Sequence, residues 1–174
     1  MSSTSPLFEP YKLRGLTLPN RVVMAPMTRS FSPGGVPGEN VAEYYSRRGD
    51  ADVGLLITEG TTVDRGGASN DPKVPNFHKD DALAGWSNVV EAVHKTPGKI
   101  APQLWHVGMM RKPGTGPDPE AVSDSPSGRT HKGKQVQPEP TEKEVEDMVM
   151  AYANAAGEAK RLGFDAIEIH GAHG

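Results

Sequence analysis

The strongest constraint on the fold is an alternation. Short apolar, β-branched runs are each followed by a segment with helical spacing, and the pattern recurs along the chain. "NRVVMAPMT" (20–28) reads as a first strand, and "GENVAEYYSRRG" (38–49) has the composition of a short helix. "DVGLLITEG" (52–60) reads as a second strand closed by glycine. "KDDALAGWSNVVEAVHK" (79–95) puts Leu83, Trp86, Val90 and Val93 on one helical face, and "KIAPQLWHVG" (99–108) is a third strand. Strands separated by helices must run parallel, joined by right-handed crossovers. The fold class is therefore α/β with a parallel sheet.

Two segments depart from this rhythm. Residues 11–20, "YKLRGLTLPN", alternate in short pieces around Gly15 and suggest a small hairpin ahead of the first strand. Residues 106–140 are rich in Gly, Pro and Ser and have neither period, so they form a long excursion of the kind that usually covers a site or stays irregular. Regular structure resumes at 141–163. There Thr141 and Glu144 have the spacing of a capping box, Gly163 is a stop, and Val145, Met148, Val149, Tyr152, Ala156 and Ala159 are the expected buried stripe. A fourth strand, 164–170, follows at once.

Strand parity picks out one face for chemistry. If side chains alternate strictly, Pro26 and Thr28 share a face in the first strand, Leu56, Thr58 and Gly60 in the second, Ala101, Gln103 and Trp105 in the third, and Ala166, Glu168 and His170 in the fourth. In parallel α/β architectures, ligands sit at the carboxyl ends of strands. Thr28, Gly60, Gln103 and His170 would meet there. Threonine and glutamine offer donors and acceptors to the edge of a heterocycle, and Gly60 lets a flat ring approach the backbone. A threonine or glutamine alone at a strand end more often caps a turn. The His170 and His173 pair carries more weight, because buried imidazoles need partners. Glu168, His170 and His173 also have the donor types for zinc, but no further ligand cluster at a strand end completes a shell, and an organic ligand fits better.

Composition narrows the remaining choices. Nineteen Lys and Arg against 22 Asp and Glu give a formal charge of −3, so nothing favours nucleic acid or an anionic membrane as a partner. The absence of cysteine removes disulfides, thiolate metal sites and thiol nucleophiles. No leader-like start and no apolar run of about 18 residues is visible, and the expectation is a soluble, cytoplasmic protein.

Taken in order, "NRVVMAPMTR", "ITEG", "APQLWHVG" and "GFDAIEIHGAHG" resemble the old yellow enzyme family of FMN-dependent NAD(P)H ene-reductases, from about Leu7 onward. The resemblance implies the first four strands of a (β/α)8 barrel, with 106–140 as the capping segment over the site. It implies FMN and NAD(P)H as cofactors and activated alkenes, such as enones and nitro compounds, as substrates. Pro26, Met27, Thr28, Gly60, Gln103 and His170 would lie at the flavin, Thr28 tuning its electronics and Gln103 bonding its pyrimidine edge. Trp105 would wall the substrate pocket. His170 and His173 would be the catalytic pair, donating hydrogen bonds to the substrate oxygen.

With 174 residues against the roughly 250 of a complete barrel, residues 1–174 are expected to be the N-terminal half of one. The family's proton-donating tyrosine, its basic flavin contact and its phosphate-binding loops would then come from elsewhere. The expected partner is a complementary C-terminal half-barrel or a second copy. The alternatives are a non-catalytic, self-associating half-barrel and, more remotely, a metal-dependent hydrolase on a related barrel.

Overall fold

A computed structural model of the chain describes residues 6–172. The hairpin is present: β1 (Tyr11–Leu13) pairs antiparallel with β2 (Leu16–Leu18). The main sheet has four parallel strands in the order β3 (Val23–Met24), β4 (Leu55–Thr62), β5 (Lys99–Trp105) and β6 (Glu168–Ile169). Three helices connect them: α1 (Glu39–Asp50), α2 (Asp80–His94) and α3 (Glu142–Leu162). Strand order follows chain order, so this is a half-barrel sheet of successive β/α units.

The helices bury one face of that sheet. Leu56, Ile100 and Leu104 from the strands join Val41 and Tyr45 of α1, and Trp86, Val89, Val90 and Val93 of α2, in one core. Aromatic edges lock it: Phe77, Trp86 and Phe164 lie 5.5–6.0 Å apart, centroid to centroid, and the Trp86 indole N–H donates to the carbonyl of Asn76 at 2.9 Å. At the amino end of the sheet, Asp165 clamps β6 to its neighbours. Its carboxylate accepts from the Ile100 N–H at 2.9 Å and pairs with His94 and Lys99.

The outer strands are shorter than their sequence suggests. The apolar run 20–28 is a strand only at Val23–Met24, because its later part turns to a side-chain anchor described below. The run 164–170 reduces to Glu168–Ile169, although backbone bonds from Asp165 N–H to the Ile100 carbonyl and from His170 N–H to the Leu104 carbonyl hold it along β5. Excursion 106–140 has one short 3-10 turn, Gly108–Met110, and an isolated bridge between Arg129 and Gln135.

Strict parity fails in β4. Its pairing with β5 runs Leu55 to Lys99, Leu56 to Ile100 and Ile57 to Ala101, then resumes at Gly60 with Gln103. Two residues of β4, Thr58 and Glu59, stand against the single Pro102 of β5, which is a β-bulge. Leu56 and Gly60 therefore do not share a face. Leu56 lies in the helix-covered core and is fully buried, and Ala101 is 2% exposed. Of the residues that parity set on one face, Leu56 and Ala101 are dry and Ala166 is half-buried, so strict alternation is corrected for Leu56.

Helix α3 keeps its caps but not the expected stripe. The Thr141 hydroxyl accepts from the Glu144 N–H, the Glu144 carboxylate accepts from the Thr141 N–H, and Gly163 takes the left-handed conformation at φ 86°. The buried residues are Ala151, Ala155 and, as expected, Ala159, spaced by four, whose small side chains let α3 lie close to the sheet. Val145 and Val149 face out, while Met148, Tyr152 and Ala156 are half-buried. On the adjoining strand Ile167 and Ile169 are also exposed, Ile169 at 62%.

Two helical glycines should respond oppositely to alanine. A β-carbon on Gly85 of α2 would sit 2.3 Å from the Pro37 carbonyl oxygen, whereas one on Gly157 of α3 would meet nothing within 4 Å. Gly157→Ala should therefore stabilise the chain by about 0.5–1 kcal/mol, and Gly85→Ala should destabilise it despite the better helix former. Urea unfolding of the two variants checks the difference in sign.

Candidate active site

The bulge also builds the site. Thr58 and Thr61 of β4 grip the backbone of Gln103. The Gln103 N–H donates to the Thr58 hydroxyl at 3.1 Å, and the Thr61 hydroxyl donates to the Gln103 carbonyl at 2.9 Å. Glu59, the other bulge residue, is fully buried. Its N–H donates to the Tyr45 hydroxyl at 2.8 Å, and burial, reinforced by the Glu59 charge, pushes the Tyr45 phenol far up from its ordinary value.

The Glu59 carboxylate reaches the segment after β3. It accepts from the Arg29 guanidinium at 2.6 Å and from the Arg29 backbone N–H at 3.0 Å. That guanidinium lies 3.7 Å from the centroid of the Tyr44 ring. A stretch without regular structure, residues 25–31, is thus held by a buried ion pair, and Pro26, Met27 and Thr28 are carried with it. Pro26 is half-buried, and the Met27 and Thr28 side chains are exposed. Strand parity cannot assign their faces, because the strand has already ended. The sequence reading missed Arg29 and Glu59; an arginine next to a candidate site residue and a glutamate inside an apolar strand were the available signals.

On the face of the sheet opposite Leu56 and Ile100, Gly60, Gln103 and Glu168 form one row across three strands, paired Gly60 to Gln103 and Gln103 to Glu168. The Gln103 side-chain amide donates to Glu168 Oε1 at 2.7 Å. One step along, the rings of Trp105 and His170 meet edge to face at 6.3 Å. A β-carbon on Gly60 would lie 2.6 Å from the Trp105 ring, so glycine lets the chain's own indole lie across the strand. The structure thus brings Gly60, Gln103, Trp105 and His170 together. It carries the 26–28 segment on the Arg29 anchor. His173 lies outside the described residues.

His106 has a role at the base of the excursion. Its Nδ1 accepts from the Gly108 N–H at 2.8 Å, which leaves Nε2 to face Asp124 at 3.0 Å, and Asp124 also pairs with Arg65. Burial raises the pKa of Asp124, but the hydrogen bonds from His106 and Arg65 outweigh it and hold the carboxyl at about 2. This latch ties the excursion to the ends of β4 and β5. Beside it, residues 122–126 and 137–140, the first turns of α3 and His170 surround a cavity of about 510 Å³.

The comparisons agree with this geometry. Residues 6–174 match the model of the NADH:flavin oxidoreductase / NADH oxidase family. The chain belongs to that family. It is 40% identical over 183 residues to 12-oxophytodienoate reductase 7 of Oryza sativa subsp. japonica, covering 98% of this chain and 46% of that protein. It is 38% identical to Flavin oxidoreductase hxnT of Emericella nidulans, over 100% of this chain and 47% of the relative. Among solved structures, morphinone reductase in complex with tetrahydroNAD superposes with a TM-score of 0.83 at 37% identity, over 97% of this chain and 50% of that one. The old yellow enzyme homologue from Zymomonas mobilis gives 0.79 at 32% identity, over 95% and 48%. The chain thus spans about half the length of the relatives it matches. No helix among the described residues is long and apolar enough to cross a membrane.

Two tests follow from the anchors. Arg29→Ala leaves a fully buried carboxylate without its counter-charge and should cost about 3–5 kcal/mol, read as a lower urea midpoint. A loss under 1 kcal/mol would mean the pair is not the anchor. For Asp124, a pKa held below that of an ordinary aspartate contributes stability that is complete above about pH 4 and lost as pH falls toward 2. Hydrogen exchange across 120–130, corrected for intrinsic rates, should be steady from pH 7 to 5 and faster below 3. Asp124→Asn should show the same loosening at pH 7.

Proposed function

We propose that this chain is the flavin-ring half of an FMN-dependent NAD(P)H ene-reductase that reduces activated alkenes, enones and nitro compounds, when a complementary C-terminal half-barrel closes the sheet. The observation that carries the reading is the row Gly60, Gln103, Glu168 with Trp105 and His170 beside it, on the face the helices leave uncovered. The residues fit a flavin ring: among the described residues no donor reaches the Gln103 Oε1, an acceptor suited to a ring N–H. FMN, when bound, supplies the hydride relay between nicotinamide and alkene.

The chain's own residues provide position and charge stabilisation. Gln103 holds one edge of the heterocycle. Pro26, Met27 and Thr28 lie beside the ring on the segment that Arg29 fixes. Trp105 walls the substrate pocket. The His170 imidazole, joined by His173, donates to the carbonyl or nitro oxygen of the substrate as negative charge grows there, which favours the transition state over the bound substrate. The proton for the substrate's α-carbon, and the grip on the cofactor phosphate, belong to the complementary half.

A second reading, a non-catalytic half-barrel that self-associates, is favoured by the exposed Val149, Ile167 and Ile169 beside a two-residue edge strand. Either partner covers these residues, and flavin binding separates the two. Alone, the chain should bind FMN weakly. Mixed with a polypeptide carrying the remaining strands, it should take up FMN and show flavin absorbance. A compact stable monomer that gains no flavin from the mixture would defeat the proposal.

In the completed barrel, His170→Ala should slow alkene reduction about 100-fold, equivalent to roughly 3 kcal/mol, while flavin reduction by nicotinamide changes far less. His173→Asn should be milder, since an amide N–H replaces the imidazole donor. Stopped-flow traces of the two half-reactions decide. Intact alkene reduction in His170→Ala would make that residue structural.

A further inference from the structure

The amide of Gln103 can be placed either way round on steric grounds, since its oxygen and nitrogen are nearly the same size. Its neighbours decide the matter. The backbone is gripped by Thr58 and Thr61, so the side chain leaves the strand from a fixed point. In the next strand of the same row, Glu168 meets the amide at 2.7 Å. An ionised carboxylate only accepts hydrogen bonds, so the group facing it must be the amide NH2. The carbonyl oxygen is then turned the other way. Gln103 is 93% buried by its 7% exposure, and no donor among the described residues reaches that oxygen. An acceptor left open on this face is available to a ligand that brings an N–H.

We propose that Glu168 is a positioning residue that sets the polarity of the Gln103 amide, so that this face selects a heterocycle presenting a ring N–H and rejects one alkylated at that nitrogen. The selectivity lies in the carboxylate, not in the glutamine: an amide free to flip would offer its NH2 to an alkylated ring and lose the preference. The inference deepens the flavin reading and rests on it for the identity of the ring.

The test uses the 15N-labelled full chain with lumiflavin and 3-methyllumiflavin, which lack the phosphate and so do not depend on phosphate contacts. Without ligand, one Gln103 side-chain amide proton should be shifted downfield and slow to exchange, and Glu168→Ala should abolish both properties. With ligand, the wild-type chain should bind lumiflavin about 10-fold or more tightly than its 3-methyl analogue, measured by titration of the Gln103 amide resonances. Glu168→Gln can accept or donate, leaves the amide free to turn, and should bring that ratio to within about 2-fold. A purely structural role for Glu168 would weaken both ligands equally and leave the ratio unchanged.

An amide signal indifferent to Glu168→Ala would overturn the positioning role. Equal wild-type affinity for the two flavins, or a ratio that survives Glu168→Gln, would overturn the selectivity. If lumiflavin shifted no resonance of Gly60, Gln103 or Trp105, the flavin reading itself would fall and the ligand class with it. The ligand-free amide signal would still judge Glu168 separately.

Discussion

One residue too many in β4 organises this half-barrel. Were the strand regular, a single residue would face Pro102; instead Thr58 and Glu59 both do, and the extra residue changes which side chains see which face. Before the bulge, Leu56 points into the helix-covered core; after it, Gly60 stands in the row of Gln103 and Glu168. The cost of a bulge is a disturbed ladder, and here the disturbed groups find partners. Thr58 accepts from the Gln103 N–H, and Tyr45 accepts from the Glu59 N–H. Glu59, in turn, sends a buried carboxylate to Arg29. One irregularity thus supplies the glycine over which Trp105 lies, the clamp on Gln103, and the anchor that carries Pro26, Met27 and Thr28.

The same economy explains why segments without regular structure can carry site residues. The 25–31 stretch has no ladder of its own, and a charge pair with little solvent access substitutes for one. Excursion 106–140 is held at its base by the Arg65, Asp124 and His106 latch, where both imidazole nitrogens are engaged. Such pairs contribute little as surface ornaments but a great deal when one partner is removed from a buried site. They fix geometry, which is what a binding face requires, while the aromatic core of Phe77, Trp86 and Phe164 supplies the burial energy.

Much of this was legible in the chain itself. Alternating strand and helix patterns give the parallel sheet, and the capping box at Thr141 and the stop at Gly163 bound α3 as expected. Gln103, Trp105 and His170 fall on one face because β5 and β6 pair without interruption from Gln103 onward. Gly60 stands beside them only through the bulge, which strict parity does not contain, and parity put Leu56 on the wrong face. No local pattern marks a bulge built from Thr58 and Glu59; it exists because Tyr45 and Arg29, distant in sequence, receive Glu59. The α3 stripe misled for a related reason. Valine is more hydrophobic than alanine, but close helix-on-sheet packing selects the smaller side chain, so Ala151 and Ala155 are inside and Val145 and Val149 outside. Nor does local periodicity mark Val149, Ile167 and Ile169 as exposed apolar residues.

The most direct measurement of the central claim, that an extra residue in β4 divides the strand between core and site, is an isotope-edited NOE experiment on the intact chain. The bulge predicts contacts from the Gly60 α-protons to the Trp105 indole, and from the Leu56 methyls to core residues such as Tyr45 and Ile100, with none from Leu56 to Trp105. A regular strand predicts that Leu56 and Gly60 share neighbours. Leu56 methyl contacts on the Gln103 and Trp105 side of the sheet would contradict the account.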